Sequence, residues 1–295
     1  MEWMVATDIG GTKVASALVS REGKISALHQ EPISGTSLES SIEQLVQVYR
    51  QVSARRMGGN VVGWALDVPG IWDSGRQKVW APNIPGWDWI PLGHLLAAKV
   101  SVPLFIESDR TAALLGEAWK GEGANCADFL LLIVGTGIGL GALSAGKVVS
   151  GAHAVGGAVG WFLLPALFGE EKNPLTWEEA AAGPAMAARY VRMTGTHADA
   201  KAVFLRAQRG EQAAREVVRQ TAVYLGFGIA NLIAAFDPEL IVVSGGISRG
   251  FNLVEGTIRQ TLDAFAHPIS SKKVRLVKSK LGSEGPLLGL ASMGF

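Results

Sequence analysis

One pattern occurs twice in this chain, and it limits the possible folds more than any other feature. Trp3 to Ala6 reads as a buried strand, broken by Gly10-Gly11. The apolar run resumes from Val14 to Val19, turns at Arg21-Glu22-Gly23-Lys24, and continues from Ile25. The second copy has a strand from Phe129 to Val134, a glycine turn Gly135-Thr136-Gly137-Ile138-Gly139, and a strand from Gly141 to Leu143. A tight turn at Ala145-Gly146-Lys147 then leads to a third strand from Val148. Repetition of one supersecondary unit implies two lobes on one plan. At 295 residues the chain is long enough for two cores.

Between and after the copies, strands and helices alternate as in an α/β protein. Ile42, Leu45, Val46, Tyr49 and Val52 fall at helical spacing behind a Thr36-x-x-Glu39 capping pattern. Val61 to Val68 predicts a strand stopped by Pro69-Gly70, and Trp72 to Pro91 reads as a long structured loop. Leu104 to Glu107 is a short strand, with Ser108 capping a helix through Ala112, Leu115 and Trp119. Later come helices over 178–194 (broken at Gly183-Pro184), 198–209, 211–236 and 251–265. Strands are expected at Leu240 to Val243 and Val274 to Val277, and a short apolar helix after Gly285-Pro286. The expected division is residues 1–112 with about 281–295 as the N-terminal lobe, and 113–280 as the C-terminal lobe.

Composition removes several function classes. A net charge of +1 gives no electrostatic case for a nucleic acid or an acidic membrane surface. Cys126 is the single cysteine, so neither an internal disulfide nor a Cys-rich metal cluster can form. His29, His94, His153, His197 and His267 show no ligand spacing. The apolar run Phe129 to Val134 is too short to span a bilayer, and no signal-peptide pattern precedes the first strand, so a cytoplasmic location is expected.

The chemistry concentrates at the turns. Asp8-Ile9-Gly10-Gly11-Thr12-Lys13 ends a strand in a carboxylate and then offers open backbone, a hydroxyl and an ammonium. Such a turn makes an anion nest, and Asp8 can hold the water shell of a magnesium ion; a hairpin that merely needs glycine is the plainer reading. The Gly135–Gly141 run lacks the following helix of a dinucleotide fingerprint and the Gly-Lys-Ser/Thr ending of a P-loop. Asp109, after a strand and at a helix start, is a candidate base for a hydroxyl proton, or else a capping residue.

Taken in order, several signposts resemble the ROK family of sugar kinases and sugar-responsive repressors along nearly the whole chain. They are Asp8 to Lys13, Asp67-Val-Pro-Gly70, Pro82-Asn83 with Gly86-Trp87, Asp109 with Gly116-Glu117, Gly135 to Gly139, and Asp237-Pro-Glu239 with Gly245-Gly246. The resemblance implies two ribonuclease H-like lobes of the actin/hexokinase type with ATP in an interlobe cleft. By the same carry-over, Gly10, Gly11, Thr12 and Lys13 meet the outer phosphates of Mg-ATP, with Asp8 near magnesium. Gly135, Thr136 and Gly137 hold phosphates from the other lobe, Gly245 and Gly246 lie by the adenosine, and Asp109 is the base. Gly70, Asn83 and Glu178 fall near the sugar, although the Glu178-Glu179 pair also fits a solvated helix start. Family members often pair through the second lobe, which implies a homodimer. The chain opens on the first strand without a DNA-binding segment, as the kinase branch does.

The departures concern the acceptor. Ser108, a candidate substrate-binding residue with less reach, stands where the family commonly has Asn, and Ala158-Val159-Gly160-Trp161 stands at its Glu-x-Gly-His sugar motif. The family's structural zinc uses that His with three following cysteines, none of which occurs between Leu167 and Glu178, so no zinc site of that type is expected. Trp161 is a candidate to stack on an apolar sugar face, with core packing as the plainer reading. The expected function is an ATP-dependent kinase of a hexose or hexose derivative. The alternatives are a regulatory binding protein with weak or no turnover, and a kinase of a non-hexose polyol.

Overall fold

The computed structural model describes residues 1–295. Its first part contains β1 (Glu2–Ile9), β2 (Lys13–Ser20), β3 (Ile25–Pro32), α1 (Leu38–Ala54), β4 (Asn60–Val68), β5 (Ile71–Asp73), β6 (Lys78–Trp80), α2 (Leu92–Ala97), β7 (Leu104–Ser108) and α3 (Asp109–Lys120). There follow β8 (Phe129–Val134), β9 (Ile138–Ser144), β10 (Lys147–Val148), β11 (Leu163–Leu164), β12 (Leu175–Thr176), α4 (Trp177–Ala181), α5 (Gly183–Thr194), α6 (Ala200–Gln208) and α7 (Gln212–Phe236). The chain ends with β13 (Leu240–Ser244), α8 (Phe251–Phe265), β14 (Arg275–Lys278) and α9 (Gly285–Ser292).

Two compact units result: Met1–Asn125 with Ser150–Gly156 and Lys280–Phe295, and Cys126–Val149 with Gly157–Ser279. Each is built on a five-stranded sheet of the same order, β3-β2-β1-β4-β7 in the first and β10-β9-β8-β13-β14 in the second. In both, the glycine hairpin supplies three antiparallel strands and two crossovers add parallel ones. The repetition therefore extends beyond the hairpins: β4 and β7 correspond to β13 and β14, a match too sparse in sequence to read.

In the first unit, alternate residues of β1 face two layers. Trp3 and Val5 pack with α1 residues Ile42, Leu45 and Val52, whereas Met4 and Ala6 pack with α9 residues Leu287, Leu288 and Ala291. The α1 cap sits one residue later than the sequence pattern suggests. Ser37 and Ser40 exchange side-chain and backbone bonds, because two serine hydroxyls spaced by three satisfy both exposed N–H groups. The stretch expected as a loop over 72–91 instead contains the β5–β6 hairpin, in which Trp72 pairs with Val79, and reciprocal 2.9 Å bonds between Val79 and Ile90 tie β6 to the end of the stretch. Helix α3 packs along α9, so the first unit runs to Asn125 and the division falls after that helix, not within it at 112–113.

In the second unit α7 is the core helix. By length and composition it is apolar enough to cross a membrane, but most of it is buried inside the unit, with its own Tyr224, Ile229 and Leu232 in the core. Gly228 on α7 lies flat against Trp177, where a Cβ would come within 2.0 Å of the indole. That close approach lets Trp177 be fully buried at the start of α4, stacked on Phe162. The position of α4 follows from this anchor.

Candidate active site

Parallel strands β1, β4 and β7 end on the same edge of the first sheet, and each brings a carboxylate there. Asp8 stands near the end of β1, Asp67 near the end of β4, and Asp109 immediately after β7. The crevice beyond the carboxyl ends of parallel strands is where α/β sheets bind ligands.

Asp67 is fully buried. Its Oδ1 accepts the Ile9 N–H at 2.9 Å, while Oδ2 has no protein donor. Asp8 is its acidic neighbour, and two carboxylates this close disfavour a negative charge on both. Burial, then the charges of Asp8 and Asp109, push Asp67 well above the usual carboxylate range; the Ile9 N–H opposes this only in part. Asp8 is raised too, by burial and by Asp109, with the bond from Asp67 and the charge of Lys13 acting against the rise. The sequence reading gave Asp67 no role beyond a family signpost. A charged residue at an inward-facing strand position was the available signal.

Asp109 is the first residue of α3, and the cap is Ser108, whose hydroxyl oxygen accepts the Thr111 N–H and bonds the Thr111 hydroxyl. The capping reading therefore passes to Ser108, which is nearly buried and committed to its own helix. Asp109 is open to solvent yet densely surrounded by protein. Solvent access is what matters for a base, since a base must meet its substrate. The surrounding protein pushes its carboxyl above the ordinary range, although the Arg110 N–H and the Arg110 charge counteract.

The turn Gly10–Lys13 is closed by a 2.9 Å bond from Gly10 N–H to the Lys13 carbonyl. Gly11, Thr12 and Lys13 are exposed, so the amides of Gly11 and Thr12 and the Lys13 ammonium are presented at the surface. Together with Asp8 this donor set suits magnesium, which takes one or two carboxylates and otherwise water and phosphate oxygens. Gly70 lies directly beneath the Trp80 carbonyl, and the Asn83 side chain is exposed.

In the second unit, Gly135 N–H closes its turn onto the Gly137 carbonyl at 2.9 Å. Beside this turn opens a cavity of about 680 Å³ lined by Gly135, Thr136 and Gly246. Met186, Phe204 and Leu205 supply apolar wall; Asp199, Gln208 and Arg249 supply polar groups. Gly245 leaves β13 next to it with positive φ. Apolar walls with few polar groups, in this size range, are what a small organic ligand needs. The sequence reading found the glycines but not the wall, because α5 and α6 residues carry no motif.

Glu178, in the first turn of α4, accepts the Ile138 N–H on Oε2 at 2.9 Å. Ala158 is exposed, and Trp161 is 78% exposed, so the core-packing reading of that tryptophan does not hold. Glu179 is a capping residue bonded to Thr176 and Lys172, whose ammonium, with the Thr176 N–H, draws it down to about 2. The preceding segment is fastened by a buried Arg189. Its Nε donates to Glu170 at 3.1 Å, its Nη2 reaches the Ala180 carbonyl, and its guanidinium lies over Tyr224. Tyr224 in turn donates to Glu170 at 3.0 Å. No group of three or more His, Cys, Asp or Glu side chains is arranged to hold a metal ion there or elsewhere.

Similarity to known proteins agrees with this layout. The chain is 28% identical to a glucokinase of Halalkalibacterium halodurans, covering 97% of this chain and 93% of that protein. A ROK hexokinase structure from Thermus thermophilus superimposes with a TM-score of 0.81 at 30% identity, covering 98% and 96%. A ROK family glucokinase from Streptomyces griseus, solved with glucose and AMPPNP, gives 0.77 at 26% identity, covering 99% and 98%. Both neighbours share the two-unit α/β fold of the actin/hexokinase type. The ROK family model matches residues 4–294, and the chain belongs to the ROK family.

Proposed function

We propose that the protein is an ATP-dependent kinase that transfers the γ-phosphoryl group to a hydroxyl of a hexose or hexose derivative. The observation carrying this reading is the nucleotide-sized cavity opening on the Gly135–Gly137 turn. The first unit supplies the complementary part: a solvent-accessible carboxylate, Asp109, beside an exposed glycine turn with a lysine. Similarity to glucokinases over nearly the full length of both chains supports the acceptor class.

In this reading Asp109 accepts the proton of the attacking hydroxyl and orients its oxygen in line with the phosphorus. Amides at Gly10, Gly11 and Thr12 and the Lys13 ammonium offset charge on the transferring phosphoryl oxygens. Gly135, Thr136 and Gly137 hold the nucleotide's phosphates, and the cavity beside Gly245 and Gly246 takes its nucleoside. Asp8 holds magnesium through water, and the ion supplies charge neutralisation on the phosphates. The candidate acceptor contacts are Asn83, the backbone at Gly70, Glu178 Oε1 and the open face of Trp161. Ser108 acts indirectly, by starting α3 at Asp109.

Without a carboxylate at Ala158 and an imidazole at Trp161, hydroxyl recognition loses two polar anchors. Each such contact contributes roughly 1–3 kcal/mol of discrimination, so selectivity differs from that of a protein with both. The proposal includes a cytoplasmic protein that uses no zinc and forms a homodimer.

The test is coupled ADP release with Mg-ATP over a panel of hexoses, amino sugars and polyols. Turnover on a hexose or amino sugar is the expected result. Tight ATP binding with no turnover on any acceptor would replace the kinase reading with the regulatory one.

A further inference from the structure

One short stretch of chain holds both ends of the Gly135–Gly139 turn. Gly183, opening α5, donates its N–H to the Gly135 carbonyl at 2.8 Å. Glu178 takes the Ile138 N–H at the other end. The fit around this carboxylate is close: a Cβ on Gly137 would lie 2.4 Å from Oε2, and one on Gly160 would lie 3.2 Å from it. The base of the side chain is equally fixed. Trp177 is buried, its backbone N–H donates to the Phe162 carbonyl at 2.6 Å, and Thr176 and Glu179 form a capping box around the start of α4.

Charge makes this placement informative. A carboxylate beside an amide turn repels the phosphates that such a turn attracts. Affinity for an anion alone would favour a neutral acceptor here. The hydrogen bond orients instead: with the Ile138 N–H engaged by Glu178, and the Gly135 N–H engaged within the turn, the Thr136 and Gly137 amides are the ones left for a ligand. Glu178 Oε1 makes no hydrogen bond within the protein.

We propose that Glu178 is a positioning residue for the nucleotide turn, fixing the direction of the Thr136 and Gly137 amides through the Ile138 N–H. Its free Oε1 lets the same carboxylate meet an acceptor hydroxyl, so acceptor contact and phosphate orientation are joined in one side chain. This rests on the kinase reading for the identity of the ligand.

The decisive comparison is between two neutral substitutions. Glu178→Gln keeps an acceptor for the Ile138 N–H, and Glu178→Met keeps the length without an acceptor. Both lose the repulsive charge, so their difference isolates the hydrogen bond. Isothermal titration with magnesium and AMPPNP, without sugar, should show the Met variant binding about 3- to 10-fold more weakly than the Gln variant. The Gln variant should bind at least as tightly as the wild type. The KM for ATP should follow the same order, and both variants should keep the wild-type fold by circular dichroism. Equal AMPPNP affinity in the Gln and Met variants overturns the proposal while leaving the kinase reading intact. Absence of AMPPNP binding by the wild-type protein overturns both.

Discussion

Replacing Asp67 by Asn should change how stability depends on pH. An Asn side chain can accept the Ile9 N–H with its carbonyl and donate to Asp8 with its amide, repeating both roles of a protonated Asp67. The sign follows from the raised value. Asp67 in the folded protein keeps its proton well above 3.8, the value of an unperturbed carboxyl, which the unfolded chain approaches. Between the two values folding takes up a proton, so wild-type stability falls as pH rises, by about 1.4 kcal/mol per pH unit for one group. Its contribution is fully present below pH about 4 and is lost as pH rises through the folded-state value. The Asn variant has no such linkage. Its stability relative to wild type should therefore climb with that slope from about pH 4 upward, and level off above the folded-state value of Asp67. Urea unfolding at half-unit intervals of pH, followed by tryptophan fluorescence, measures the difference. Trp64 is a suitable reporter: it is buried in the same unit, and its indole N–H donates to the Thr7 hydroxyl at 2.9 Å. A difference that stays constant with pH would refute a protonated Asp67 in the folded protein. So would an Asn variant that is less stable by several kcal/mol at every pH, which would mean that Asp67 folds as a carboxylate.

Other perturbations separate the remaining roles. Asp109→Asn should lower kcat by about 10²- to 10⁴-fold with little change in AMPPNP affinity, read by steady-state kinetics and titration; a loss under tenfold removes it as the base. Because the Asp109 carboxyl is raised and a base must be ionised, kcat/KM in the wild type should fall on the acid side at a pH above the ordinary aspartate range, and the Asn variant should lose that limb. Arg189→Met strands the buried Glu170 and should cost about 3–5 kcal/mol in denaturant unfolding. Ala187→Trp fills part of the cavity and should weaken AMPPNP binding at least tenfold, measured by titration, while leaving the fold intact by circular dichroism.

Much of the architecture is legible in the residues themselves. Glycine turns between short apolar runs leave few ways for the chain to go, and the two hairpins stand where their sequences put them. The long apolar periods of α7 and α8 give those helices almost to the residue. The 72–91 stretch is different, because two three-residue strands carry no usable periodicity and pair only once the hairpin closes. The roles around α3 also depend on geometry: adjacent Ser108 and Asp109 both suit a helix start, and only the backbone shows which one caps.

The sequence by itself determined the duplicated plan, the glycine turns and the carboxylate that follows β7. These depend on local backbone freedom and short-range pattern, and both are written in neighbouring residues. Only the tertiary structure decided that Asp67 shares its buried site with Asp8, that α5 and α6 wall a cavity, and that Glu178 grips the Ile138 amide forty residues away. Those facts arise where parallel strands end together and where a buried Trp177 fixes the helix beside it. Burial and charge proximity are properties of the folded chain, and no spacing along the sequence encodes them.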